Sequence, residues 1–200
     1  AVCDPVGDVA ENAAKELGID LFYKDYHDVM KNEEIDAVII ACPTKFHKEI
    51  MVAAANAGKH VFCEKPMAMN EDECDEMINA AKENNVKLQI GFMRRFDESF
   101  QEAKRMIEAG EIGEVVSVKS HTRGPSKPKE WMYDISISNG PLGEVCSHDI
   151  DTVRWFSGSE ISSLYAVGGN YRNKEIADKY PDFYDNVIMS VEFENGMQGV

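Results

Sequence analysis

Two short runs carry side chains that could move a proton or steady a developing charge. The first is Glu64-Lys65-Pro66. Pro66 biases Lys65 toward extended backbone and closes the apolar run before it. An ammonium group is then carried at a strand end, where it could polarise a hydroxyl and stabilise alkoxide charge. A solvated surface lysine is the plain alternative. The second run spans residues 140–151, GPLGEVCSHDID. From about Glu144 it reads as one helix with His148, Thr152 and Trp155 on a common face. Glu144 stands four residues before His148, so a carboxylate can meet an imidazole there. Such a partner fixes the ring's tautomer and raises its basicity, as a general base requires. An ordinary surface Glu–His pair has the same spacing.

Two further positions suit a ligand with sugar hydroxyls and phosphates. Asp4 closes the first apolar run. In dinucleotide-binding folds an acidic residue at the end of the second strand bonds the adenosine ribose hydroxyls, although Asp4-Pro5 could simply open a turn. Cys42-Pro43-Thr44 ends another apolar run just ahead of a helix, and helix amino-termini favour phosphate. Thr44 could equally be a plain helix cap. None of the fourteen glycines forms a GxGxxG run, a turn expected about 20 residues upstream of such an acidic residue.

The elements that must position these residues alternate. Residues 1–4 read as a strand end, and a helix through Val9, Ala10, Ala13, Ala14 and Leu17 closes at Gly18. The continuous apolar run at 36–42 suits a strand covered on both faces. Helix 46–57, strand 60–63, a helix from a capping box at Asn70 and Glu73 to about 84, and strand 87–92 follow. This is the order of a doubly wound parallel sheet. A helix with Phe96, Phe100, Ala103 and Ile107 on one face closes at Gly110. Segments 114–123, 161–167 and 186–193 then alternate, as antiparallel strands with one covered face do, and Asn195-Gly196 signals a hairpin. The expected fold is α/β. A Rossmann-type doubly wound parallel sheet over 1–92, its first βα unit missing, precedes an α+β domain over 93–200 with a large, mostly antiparallel, truncated sheet. On this reading the chain is part of a longer protein.

A formal charge of −15 argues against nucleic acid or anionic membrane as partner and favours a small molecule. Cys3, Cys42, Cys63, Cys74 and Cys146 form no CxxC pair and read as reduced, buried thiols of a cytoplasmic protein, with no metal site expected. No run approaches the roughly 20 apolar residues that span a bilayer.

Together, Cys42-Pro43-Thr44 through His47, Glu64-Lys65-Pro66, the run 91–97 (GFMRRFD) and His148-Asp149-Ile150-Asp151 through Trp155 resemble the glucose–fructose oxidoreductase, inositol dehydrogenase and rhizopine-catabolism (Gfo/Idh/MocA) family. Met93-Arg94-Arg95 is most similar to the inositol dehydrogenases, where this stretch borders the substrate. The resemblance implies hydride transfer between NAD, rather than NADP, and a hydroxyl carbon of inositol or a related cyclic polyol or sugar. It makes Lys65, His148 and Glu144 catalytic, and places Asp4, Cys42, Pro43, Thr44, His47, Glu64 and Lys65 at the cofactor. Lys65, Met93, Arg94, Asp151 and His148 would meet the substrate. Many members carry Asp where this chain has Glu144, so the substrate geometry there is open. A different sugar, amino sugar or sugar–nucleotide as substrate, or a non-catalytic dinucleotide sensor, are the alternatives. A homodimer or homotetramer is expected of the full-length protein.

Overall fold

In the computed structural model, which describes residues 1–123, 128–172 and 174–200, the chain divides into two units, Ala1–Gly91 and Phe92–Val200.

In the first unit β1 (Val2–Cys3) leads to α1 (Gly7–Leu17). Gly18, at φ 66°, ends this helix in the left-handed conformation that glycine adopts without strain. Next come β2 (Phe22–Tyr23), parallel to β1, and α2 (Tyr26–Lys31), capped by Asp25, which accepts from the His27 amide at 2.9 Å. Periodicity does not anticipate this pair, because two- and six-residue elements are too short to show any. Then β3 (Ala37–Ile40), α3 (His47–Asn56), β4 (His60–Cys63), α4 (Glu71–Glu83) and β5 (Leu88–Ile90) build a parallel sheet in the order β3-β4-β5. The five strands fall into this trio and the β1–β2 pair rather than one ladder.

The cap of α4 is reciprocal. Asn70 Oδ1 accepts from the Glu73 amide at 2.9 Å, and Glu73 Oε2 accepts from the Met69 amide at 3.0 Å, one residue earlier than in the usual box. Met51, Ala54 and Ala55 of α3 and Met77, Ala80 and Ala81 of α4 are buried over the strands with Ile40, Val61 and Cys63. Each buried methionine contributes about 1.5–3 kcal/mol.

The second unit begins with a one-turn 3-10 helix (Met93–Phe96) and α5 (Glu98–Glu108). After β6 (Ser117–Val118) come a second such turn (Glu130–Tyr133), α6 (Gly140–Glu144), α7 (Ser147–Ser157), β7 (Ile161–Gly169), α8 (Lys174–Lys179), β8 (Asn186–Phe193) and β9 (Gln198–Gly199). The sheet order is β6-β9-β8-β7, antiparallel except for the parallel β6–β9 pair. Val191 and Phe193 of β8 are buried with Val153 and Met197, as the alternation predicts.

Several expectations need correction. Phe96 precedes α5 and is 65% exposed, so the helix face keeps only Phe100, Ala103 and Ile107. Strand 114–123 shrinks to Ser117–Val118. Strand β7 is largely exposed on both faces, with Leu164 on the core side and Tyr165 and Val167 on the other. The hairpin expected at Asn195-Gly196 does form, between β8 and β9, with no positive φ at Asn195. The Gly196 amide donates to the Phe193 carbonyl and only Gly196 is left-handed, at φ 84°, which is a three-residue loop closing on glycine. Cys3 is exposed rather than buried, and all five thiols are free.

Candidate active site

In the first unit the carboxyl ends of β3 and β4 lie side by side, in register from Ala37↔His60 to Ile40↔Cys63. The ladder extends one step further, the Glu64 amide donating to the Ile40 carbonyl at 2.9 Å. Two chemically interesting runs, Cys42-Pro43-Thr44 and Glu64-Lys65-Pro66, therefore leave adjacent strand ends, where open α/β sheets bind ligands. Lys65 is half-buried, and its amide donates to Glu64 Oε2 at 3.3 Å. The Lys65–Pro66 peptide is cis. A Cβ on Gly91 would stand 3.1 Å from the Phe62 ring and 3.3 Å from Glu64 Oε1, so the glycine lets the end of β5 approach this turn.

His47 is the clearest correction here. At 1% exposed, with Nδ1 2.9 Å from the Pro66 carbonyl and Nε2 2.9 Å from the Cys42 carbonyl, its ring has no face left for a cofactor. The Thr44 side chain is likewise buried, at 2%. Thr44 does not cap α3 but opens a short 3-10 turn whose capping position is Pro43.

At the end of β1, Asp4 Oδ1 accepts from the Val6 amide at 2.8 Å, so its carboxylate does shape the turn. Partial desolvation pushes the thiol of the neighbouring, solvent-facing Cys3 up, and Asp25, Asp4 and Asp28 push it further. Such an acidic strand end offers acceptors that suit the ribose hydroxyls of a dinucleotide.

In the second unit the helix expected from Glu144 onward is broken. Helix α6 ends at Glu144 and α7 starts at Ser147, so Glu144 and His148 belong to different helices, linked by Val145 and Cys146 in right-handed helical backbone. The break follows from Gly140, Pro141 and Gly143, which make a weak five-residue helix. His148 opens the first turn of α7, and its carbonyl accepts from Thr152 Oγ1 at 2.7 Å.

The acidic residues beside His148 are taken up by an arginine pair. Arg94 donates to Asp149 Oδ1 at 2.9 Å and to Thr122 Oγ1 at 3.1 Å, with its guanidinium 5.4 Å from the Phe100 ring centroid. Thr122 and Ser120 hydroxyls also donate to Asp149 Oδ1. Burial pushes the Asp149 carboxyl up, but the donors from Ser120, Arg94 and Thr122 outweigh it and hold it below the ordinary carboxylate value. Arg95 grips Asp151 with both ends of its fork, Nε 2.9 Å from Oδ2 and Nη2 2.8 Å from Oδ1. Asp151 is 5% exposed, so the expected substrate contact is engaged as an internal partner of Arg95. Met93, in contrast, is 67% exposed.

Arg95 and Asp149 lie in the runs that carry the family resemblance, whereas Ser120 and Thr122 stand outside every motif. The available signal was two adjacent cations, Arg94-Arg95, facing two carboxylates two residues apart in one helix. Among the described residues no cluster of His, Cys, Asp and Glu could hold a metal ion. No helix there is long and apolar enough to cross a membrane.

Residues 1–92 match the model of the oxidoreductase family with an NAD-binding Rossmann fold, and residues 100–200 match the Gfo/Idh/MocA C-terminal domain. The chain is 37% identical over 198 residues to a scyllo-inositol 2-dehydrogenase (NAD(+)) of Bacillus subtilis, covering 99% of this chain and 57% of that protein. It is 34% identical to a myo-inositol 2-dehydrogenase of Thermotoga maritima, covering 100% and 60%. The crystal structure of myo-inositol 2-dehydrogenase from Lactobacillus plantarum superposes with a TM-score of 0.89 at 31% identity, over 98% of this chain and 59% of that one. The chain thus spans somewhat under two thirds of the length of these relatives. With both halves matched in order, and with strand-end turns and a His-Asp-Ile-Asp helix where the motifs require them, the chain belongs to the Gfo/Idh/MocA oxidoreductase family.

Proposed function

We propose that the protein is an NAD-dependent dehydrogenase that oxidises a hydroxyl carbon of inositol or a related cyclic polyol. The observation that carries this reading is Lys65 at the carboxyl end of β4, beside the Cys42-Pro43-Thr44 turn, in a parallel sheet. The inositol dehydrogenases among its relatives support the substrate class. Bound NAD supplies the hydride acceptor. Asp4 is proposed to take the ribose hydroxyls, the acidic surroundings of Cys3 favouring NAD over NADP. Backbone groups of Cys42, Pro43 and Thr44, together with Glu64, line the cofactor's path in this reading.

His148 is proposed to take the proton of the reacting hydroxyl, with Glu144 as its orienting carboxylate. Lys65 steadies the oxygen as charge develops on it. Met93 and Arg94 are proposed to border the substrate. Asp151, engaged by Arg95, supports the helix bearing His148 rather than touching substrate.

The test uses the full-length protein. Absorbance at 340 nm is followed with NAD and, separately, NADP against myo-inositol, scyllo-inositol, hexoses and sugar acids. Turnover of an inositol with NAD is expected. A Lys65→Met variant that keeps most of the wild-type rate would remove Lys65 from the chemistry. No turnover with any substrate, alongside tight NAD binding, would favour a dinucleotide sensor instead.

A further inference from the structure

We propose that His47 is a positioning residue that holds Lys65 in place by clamping the turns at the ends of β3 and β4 to each other. The inference rests on the assignment of Lys65 above and reaches beyond it, since His47 itself touches no ligand.

The geometry has two parts. Lys65 sits between two backbone anchors. On one side the Glu64 amide donates to the Ile40 carbonyl at 2.9 Å. On the other, the Pro66 carbonyl is 2.9 Å from His47 Nδ1, and Pro66 is itself buried. The same ring places Nε2 2.9 Å from the Cys42 carbonyl, in the turn that follows β3. One imidazole therefore joins the residue after Lys65 to the neighbouring strand-end turn, 24 positions earlier in the sequence, as counted from Cys42 to Pro66.

The position of the ring is also determined. His47 begins α3 and is 1% exposed, so it cannot swing to solvent. Both of its partners are acceptors. A neutral ring carries one N–H and donates to one of them, whereas the imidazolium donates to both. No other side chain of similar size offers two ring nitrogens on opposite edges. Glutamine and asparagine carry both N–H groups on one nitrogen and cannot donate in two opposed directions as the imidazolium does, so each can keep one anchor and must release the other. A small shift of a group that steadies a reacting oxygen is costly, because a misplacement of about 1 Å can lower a rate about 100-fold.

Four full-length variants test this: His47→Gln, His47→Asn, Lys65→Met and the double variant His47→Gln with Lys65→Met. Kinetics use NAD with scyllo-inositol, and NADH binding is read from its fluorescence. His47→Gln is expected to lower kcat about 10- to 100-fold and to leave the NADH Kd within about threefold, a difference of roughly RT. In the Lys65→Met background the same change should alter the residual rate less than about twofold, because the group being positioned is gone. Hydrogen exchange of the protein without cofactor gives a readout independent of activity. Amides around Lys65 should lose protection in both single His47 variants, while those of α4 and β5 keep theirs.

Equal losses in the two backgrounds would overturn the proposal. So would a loss confined to NADH affinity, which would make His47 a cofactor determinant. Loss of protection throughout the first unit in both His47 variants would overturn it too, by showing a role in folding alone. An active Lys65→Met variant would instead sink the Lys65 assignment, which keeps the two failures apart.

Discussion

At the scale of single residues, the arginine pair Arg94-Arg95 organises the segment around His148. Its two members are held differently. Asp149 is stabilised as a carboxylate by Ser120, Arg94 and Thr122, so its folded pKa lies below the unfolded value of about 3.9. A depressed carboxyl contributes stability that is present in full above the unfolded pKa and lost as pH falls through the folded one. We expect Asp149→Asn to be less stable than wild type at pH 7, and the gap in urea midpoint to close as pH is lowered below about 4. A gap independent of pH would show that the carboxylate's charge is not what matters. For Arg95 and Asp151 the prediction is asymmetric. Arg95→Met leaves a carboxylate that is 5% exposed without its cation and should cost about 2 kcal/mol. This is less than breaking a fully buried pair costs, because the Arg95 side chain is 42% exposed and water screens it. Asp151→Asn keeps an acceptor for Arg95 and strands only a partly solvated cation, so it should cost about 1 kcal/mol. Denaturant titration of both variants checks the order.

At the scale of elements, ends matter more than middles. Helix α4 places its amino-terminus by the reciprocal contacts of Asn70 and Glu73 with the Glu73 and Met69 amides. Asn70→Ala should lower stability by about 1 kcal/mol, measured as a shift in thermal midpoint, with Asn70→Ser recovering most of it. Gly196, at φ 84°, closes the β8–β9 loop. Gly196→Ala should cost about 1 kcal/mol, because a side chain is strained in that region. The break between α6 and α7 belongs to this scale as well. It sets Glu144 and His148 on two short helices, with the path of residues 145–146 between them.

At the scale of the whole molecule, the outer face of the second unit's sheet bears Tyr165, Val167 and Ile188, 72%, 49% and 57% exposed. Val167 and Ile188 are directly opposed across β7 and β8, and Tyr165 follows on the same face. Exposed apolar surface of this kind suits a protein–protein contact, and the proposal for the full-length protein is self-association through it. Val167→Glu with Ile188→Lys should shift the sedimentation coefficient toward a smaller species while the far-ultraviolet spectrum is kept. An unchanged coefficient would assign the face to another role. What the sequence determined by itself is the order of strands and helices from β3 to β5, the exposed and buried sides of β8, the glycine-closed end of α1, and the motifs that mark the family. Local propensity and periodicity decide those features, and their signals lie within a few residues of the positions they govern. Tertiary structure alone decided that His47 faces two carbonyls instead of a cofactor, that Asp151 is engaged by Arg95, and that β7 is exposed on both faces. The first two depend on a partner many residues away in the chain, Pro66 for His47 and Arg95 for Asp151. Burial and hydrogen-bond satisfaction select such partners only after the strands and helices have packed.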